Sequence, residues 1–327
     1  MEISSDPSGL YVAMGQLTSK LDKGMKLYYY LINFSEVALS MHKTLVSILA
    51  IAIVLCFIFA AGCTTSIANG EKSCQGITPV PSISINGTPI QYAEVNGVRL
   101  AYREFGSGEP ILMLNGFGAT MDHFYNESFL GILATRYQVY IYDHRGMGYS
   151  SDNDAPPTMS LYSDDAAALI SALGYDSMNV YGASMGSSIG QQLVIDHPLR
   201  VRKLILESAT YSVRIPETKL LFDLIQATAL NASEPAGVRR EAEANLVWNG
   251  TWDDLSGINK SVMLVVGTDD ILTPQSVAVR IAGQIDGSWL VRFKDEPHVG
   301  SRFAPVEYGE TSLDFLCRNE SPPYATG

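Results

Sequence analysis

Residues 176–191 read DSMNVYGASMGSSIGQ. Met178, Val180 and Tyr181 form a short apolar run of the kind that makes a buried strand. The run ends in Gly182-Ala183-Ser184-Met185-Gly186, and an amphipathic helical pattern follows. Glycines two residues either side of a serine let the backbone turn sharply from strand to helix and leave the hydroxyl at the tip of the turn. A bare G-x-S-x-G also occurs in ordinary strand–helix turns, so its meaning depends on whether the rest of the chain supplies partners for Ser184.

The flanking chain repeats the same unit. A hairpin is expected over residues 92–103, turning at Asn96-Gly97. Apolar strands follow at 110–114 and 137–142, before the turn at Ser184, and at 201–206, 261–267 and 289–293 after it. Helical patterns lie between them at 121–136, 159–173, 275–285 and 306–316. Strands alternating with helices predict right-handed crossovers and a mainly parallel, eight-stranded sheet flanked by helices, an α/β fold. The alternation breaks at residues 209–257. Helical stretches near 220–230 and 238–248 predict a small helical cap above the strand ends. The expected organisation is a domain over 92–317 and a short tail over 318–327.

A serine hydroxyl needs a general base at neutral pH, and imidazole is the usual one. The chain has five histidines. His42 precedes the domain. His197 follows Ser184 in the same helix, about 20 Å along its axis at ~1.5 Å per residue. His123 begins the helical run after the Asn115 loop, and His144 lies in a Gly-rich loop, where a structural hydrogen bond is expected. His298 follows the last strand, at the sheet end where the turn also points, and is the expected base. For the acid that orients it, Asp270 is favoured in Gly267-Thr268-Asp269-Asp270, with Asp269 and Glu207 as alternatives.

The order Ser184, Asp270, His298, together with Asn115-Gly116-Phe117-Gly118, Asp143-His144-Arg145-Gly146-Met147-Gly148-Tyr149-Ser150, His197-Pro198-Leu199-Arg200-Val201 and residues 267–274, resembles the α/β-hydrolases. The similarity is to the branch with haloperoxidase-like esterases, enol-lactonases and prolyl aminopeptidases. It implies an oxyanion hole built from the backbone N–H groups of Phe117 and Met185. It also implies acyl transfer without a cofactor on a small ester, lactone or related substrate. The chain departs from the family in having Asn115 where His is usual and Pro297 where Gly often precedes the histidine. Asn115, Tyr211, Leu221, Phe222, Ile225 and Trp248 are candidates to line the substrate pocket. An aminopeptidase would need a carboxylate to hold an amine, and Glu217, Asp223, Glu241 and Glu243 in the cap are candidates. A haloperoxidase or perhydrolase would use the same triad. A non-catalytic binding protein on this fold would have no need of all three residues.

Composition narrows the partners. The 327 residues are 46% hydrophobic and carry a net charge of −12, from 34 acidic and 22 basic side chains. That balance argues against nucleic acid. No spacing of Cys and His suggests a metal. Residues 44–62 form an uncharged apolar run behind His42-Lys43, closing on Ala60-Ala61-Gly62-Cys63. Residues 41–63 thus resemble a lipoprotein signal with Cys63 as the lipidated residue, the alternative being an uncleaved anchor. The expected setting is a domain outside the cytoplasm, tethered to the membrane of a prokaryotic cell envelope. Residues 1–40 are then an extension from an upstream start, and 64–91 a flexible tether. Cys74 and Cys317 are left as a candidate disulfide, and six N-x-S/T sequons beyond Cys63 fit an exported chain.

Overall fold

The computed structural model describes residues 80–318. Eight strands form one sheet: β1 (Gln91–Val95), β2 (Val98–Gly106), β3 (Glu109–Leu114), β4 (Tyr137–Tyr142), β5 (Met178–Ala183), β6 (Val201–Glu207), β7 (Ser261–Gly267) and β8 (Trp289–Phe293). Their order is β1-β2-β4-β3-β5-β6-β7-β8. The β1–β2 and β2–β4 pairs are antiparallel, and every pair from β4 onward is parallel. The expected α/β sheet is therefore present.

The parallel strands are apolar along their length because both faces are covered. On β3, Leu112 and Leu114 face one core cluster and Ile111 and Met113 the other. On β7, Val262, Leu264 and Val266 alternate in the same way with Met263 and Val265. One face is covered by α2 (Met159–Ala172), α3 (Met185–Asp196) and α6 (Gln275–Ala282), the other by α1 (Glu127–Ala134) and α7 (Pro305–Cys317). Helix α1 is shorter than its sequence pattern. Asn126 caps it by accepting the Ser128 N–H at 2.9 Å, and residues 121–126 form turns tied to other loops. Between β6 and β7 the cap consists mainly of α4 (Lys219–Leu230) packed on α5 (Ala236–Val247).

The membrane expectation is corrected here. Among the described residues no helix is long and apolar enough to cross a membrane. The longest, α2, has 14 residues, whereas a span needs about 20. The membrane partner and the cell-envelope location thus have no support in this fold. The run 44–62, Cys63, Cys74 and the expected segments 1–40, 41–63 and most of 64–91 lie outside the described residues, as does all but the first residue of the tail 318–327.

The turn after β5 is set by close backbone approach. A Cβ on Gly182 would overlap the Gly186 carbonyl oxygen, and one on Gly186 would overlap the Leu114 carbonyl oxygen at the end of β3. Neither neighbour is a side chain that can swing away. Gly257, by contrast, has open space around its Cβ position. In urea melts Gly186→Ala should lose more than about 2 kcal/mol of stability, as overpacking against fixed atoms does. Gly257→Ala should stay within about 0.5 kcal/mol. Equal effects of the two would show that the close approach is not a constraint.

Candidate functional site

Ser184 sits between β5 and α3 at φ 55°, ψ −118°, a backbone conformation that costs a non-glycine residue about 1–3 kcal/mol. Its N–H donates to the Glu207 carbonyl at 3.0 Å, which fixes the turn to the neighbouring strand. The Ser184 Oγ lies 2.8 Å from His298 Nε2. On the other side of the ring, Nδ1 lies 3.0 and 2.9 Å from the two carboxylate oxygens of Asp270. With Nδ1 protonated and donating to Asp270, Nε2 is left as the acceptor for the serine proton. The structure thus brings together the three residues expected from the sequence, one from each of three loops at the same end of the sheet.

Asp270 is buried and uses all its acceptor capacity. Oδ1 accepts the N–H groups of Leu272 at 3.0 Å and Thr273 at 2.8 Å, and Oδ2 accepts the Thr273 hydroxyl at 2.8 Å. Burial alone would raise its pKa. The facing His298 and the bonds from His298 and Thr273 outweigh that and hold it below the ordinary carboxylate value. Asp269, one alternative, is exposed, and its N–H donates to the Glu296 carbonyl at 3.0 Å.

Glu207, the other alternative, makes no hydrogen bond to His298 but holds the loop that carries it. One carboxylate oxygen accepts the Ser301 N–H at 2.9 Å. The other accepts the Ser301 hydroxyl at 2.9 Å and the Tyr181 hydroxyl at 2.8 Å. Next to it, Ser208 Oγ accepts the Val299 N–H at 3.0 Å. Val299 is β-branched and has φ 56°, so that bond helps hold a strained residue directly behind the imidazole. The roles of Ser208 and Ser301 carry no signal in the sequence. Thr273 has one, since a side chain at i+3 from an aspartate at a helix approach is a common capping spacing.

The Asn115-Gly116-Phe117-Gly118 turn closes over Ser184. A Cβ on Gly116 would lie 3.4 Å from the Ser184 Cβ. Asn115, expected in the pocket, is buried and straps the turn to β4 through an Nδ2 bond to the Tyr142 carbonyl at 2.7 Å. The Phe117 N–H makes no hydrogen bond among the described residues. Met185 is the first residue of α3, where an N–H has no intrahelical acceptor. Asp143 and Arg145 brace the adjacent loop. Asp143 accepts the Met121 and Tyr149 N–H groups at 2.7 and 2.9 Å, and Arg145 grips Asp165 with two bonds of 2.6 and 2.5 Å. His123 is exposed, and His197 pairs with Asp164 at 2.7 Å.

Of the remaining pocket candidates, Tyr211 and Trp248 are buried in the main core cluster. Trp248 donates its indole N–H to Gln192 at 3.0 Å. Phe222 instead packs with Phe117, Leu246 and Leu272 against Val213, Leu221, Ile225 and Ala242. That apolar cluster joins the cap to the Phe117 turn and to the loop of Asp270. Cys317 ends α7, and its expected partner Cys74 is outside the described residues. No group of His, Cys, Asp and Glu able to hold a metal occurs among the described residues.

Burial pushes the Glu207 carboxyl above its ordinary value despite its donors and the nearby His298. A carboxyl with a raised folded pKa adds most to stability below its unfolded value, near 4.5, and that contribution is lost as pH rises through the folded value. The stability advantage of wild type over Glu207→Gln should therefore shrink from acid to neutral pH in a series of urea melts. A difference that is constant across the series would contradict the burial argument.

The model of the α/β-hydrolase fold family matches residues 109–231. The chain is 30% identical over 166 residues to the dihydrolipoyllysine-residue acetyltransferase component of an acetoin cleaving system from Cupriavidus necator, covering 50% of this chain and 44% of that protein. It is 32% identical over 156 residues to an uncharacterized hydrolase, YraK, from Bacillus subtilis, covering 46% of this chain and 51% of the relative. The chain therefore spans about half the length of either. Among solved structures, the enol-lactonase from Burkholderia xenovorans LB400 superposes with a TM-score of 0.59 at 22% identity, covering 70% of this chain and all (100%) of that one. The strand order, the turn at Ser184 and the family match agree, and the chain is an enzyme of the α/β-hydrolase fold.

Proposed function

We propose that this enzyme is a serine hydrolase that cleaves a small ester, lactone or related acyl compound through a covalent acyl-enzyme. The observation that carries the reading is the 2.8 Å contact between Ser184 Oγ and His298 Nε2, with Asp270 behind the ring. Ser184 Oγ bonds to the substrate carbonyl carbon as its proton passes to His298 Nε2. The N–H groups of Phe117 and Met185 hold the resulting oxyanion. When the intermediate collapses, the carbon–oxygen bond to the leaving group breaks, and that oxygen takes the proton from His298. A water molecule, deprotonated by His298, then attacks the acyl carbon. Ser184 leaves with the proton and the acid is released.

Among acyl substrates, the surroundings favour esters and lactones over aminoacyl compounds. Glu217 is paired with Arg280 at 2.7 Å and Asp223 with Lys219 at 2.5 Å. Glu241 is buried and bonded to the core. Glu243 lines a polar cleft beside Asp152 and Asp154 that none of Ser184, Asp270 and His298 borders. The apolar cluster of Phe117, Phe222, Leu246 and Leu272 suits a hydrocarbon acyl or alcohol part. The similarity in fold to an enol-lactonase agrees with this choice.

A fluorophosphonate probe should label the protein, and peptide mapping should place the label on Ser184. Ser184→Ala should lose the label and at least about 1,000-fold in ester hydrolysis, and Asp270→Asn about 1,000-fold or more in kcat. Labelling at another residue, or full activity without Ser184, would reject the mechanism. An aminoacyl arylamide should be turned over far more slowly than a short-chain ester; the reverse preference would favour an aminopeptidase.

A further inference from the structure

Glu241 lies on α5 in the cap, with its side chain wholly buried. Its Oε2 accepts the backbone N–H of Gly118 at 2.7 Å, and its Oε1 lies 2.8 Å from His144 Nδ1. One carboxylate therefore joins three separate pieces of chain: the cap, the Gly116-Phe117-Gly118 turn above Ser184, and the loop after β4. A carboxylate taken out of water is costly unless its oxygens are bonded, and bonds to it are roughly twice as strong as neutral ones. Glu241 is used neither as a proton carrier nor as an amine anchor in the reaction above.

The peptide group between Phe117 and Gly118 is planar. Fixing its N–H on Glu241 fixes that plane, and the preceding peptide, which carries the Phe117 N–H, is joined to it through the φ and ψ of Phe117 alone. Gly118 has φ 70°, so the turn is in a conformation that glycine allows but does not by itself impose. Asp143 holds the far side of the same loop at Met121. The cap helix is in turn seated on the core. A Cβ on Gly237 would overlap the Gly146 carbonyl oxygen, Arg240 Nε pairs with Asp152 at 2.7 Å, and Arg240 also bonds to the Ala155 carbonyl.

We infer that Glu241 is a positioning residue for the oxyanion hole: it is the cap's hydrogen-bonded hold on the Phe117 turn, beside the apolar packing there, and keeps the Phe117 N–H aimed at the oxygen that becomes charged above Ser184. The inference rests on the proposed serine mechanism. The charge on that oxygen exists only in the transition state and the tetrahedral intermediate. Loosening the turn should therefore lower kcat and leave substrate binding almost unchanged.

The test uses the full chain with a short-chain p-nitrophenyl ester and a trifluoromethyl ketone of matching acyl length, which forms a tetrahedral adduct on serine. Wild type must first hydrolyse the ester through Ser184; if it does not, the serine mechanism itself has failed, whatever Glu241 does. Given that activity, Glu241→Ala should lose about 30-fold or more in kcat, less than the 100- to 1,000-fold typical of deleting a donor outright, with KM within about threefold. Its affinity for the ketone should fall in step with kcat/KM. Glu241→Gln keeps an oxygen for the Gly118 N–H and should recover most of the loss. Should Glu241→Ala not fold, Glu241→Asp takes its place, since it keeps the charge but draws the oxygens back from Gly118. A folded Ala or Asp variant with wild-type kcat and ketone affinity would overturn the inference. So would a loss seen in KM alone, or failure of both variants to fold, which would assign Glu241 to stability.

Discussion

The site depends on how closely the backbone after β5 approaches its neighbours. Gly182 and Gly186 leave no room for a side chain, so α3 begins directly against the end of β3. That approach is what forces Ser184 to φ 55° and lifts its hydroxyl off the sheet. The strain is held from several sides. Four parallel β3–β5 residue pairs run up to Leu114 and Gly182, and the Ser184 N–H is bonded to β6. A turn that could relax would lose the hydroxyl's position, so the tight packing beneath the serine is what keeps its hydroxyl in contact with His298.

Four buried carboxylates then fix the loops around that serine. Asp143 holds the approach to α1, Glu207 the segment after His298, Asp270 the imidazole, and Glu241 the Phe117 turn. Each would be costly to bury alone, and each is offset by donors on both oxygens. Because each of the four takes a donor from another loop (Met121, Ser301, His298 and Gly118 in turn), satisfying the carboxylate and positioning the loop are one requirement. Glu207 and Asp270 show that two buried carboxyl groups can be shifted in opposite directions. Burial prevails at Glu207 and raises its pKa, whereas at Asp270 the facing His298 and the Thr273 donors prevail and lower it.

The sequence was most legible where one residue type carries a local geometric demand. Glycine spacing located the turn at Ser184, and short continuous apolar runs located the strands. The order of Ser184, Asp270 and His298 in the chain links three distant segments that the fold brings into contact. Met121 and Phe124 have helical spacing, yet Asp143 ties Met121 into a turn and Asn126 starts α1 later than the pattern predicts. Tyr211 and Trp248 were open to either reading, since an aromatic in a cap can face a pocket or a core with the same pattern. Both are buried in the core, and Tyr211 packs on Trp252 with ring centroids 4.6 Å apart. Glu241 stands out in the sequence only as one of four cap carboxylates that could hold an amine, and its link to the Phe117 turn carries no signal there. Its partners Gly118 and His144 are 123 and 97 residues away, and nothing in an exposed-looking helical pattern marks a buried acid.

The two cap helices meet the core on different terms, and this separates two functions that a cap can combine. Helix α5 is joined to the core by polar contacts from Arg240 and Glu241 and by the close approach at Gly237. Its position is therefore coupled to the turn above Ser184. Helix α4 buries only Leu221 and Ile225, and its Phe222 joins the apolar cluster with Phe117 and Leu272. Apolar contacts of this kind are non-directional and tolerate changes of shape far better than hydrogen-bonded networks do. Substitutions on α4 can thus reshape the apolar cluster beside Phe117 while α5 keeps the turn above Ser184 in place. A fold with this division can change the shape of its apolar cluster without moving the turn above Ser184.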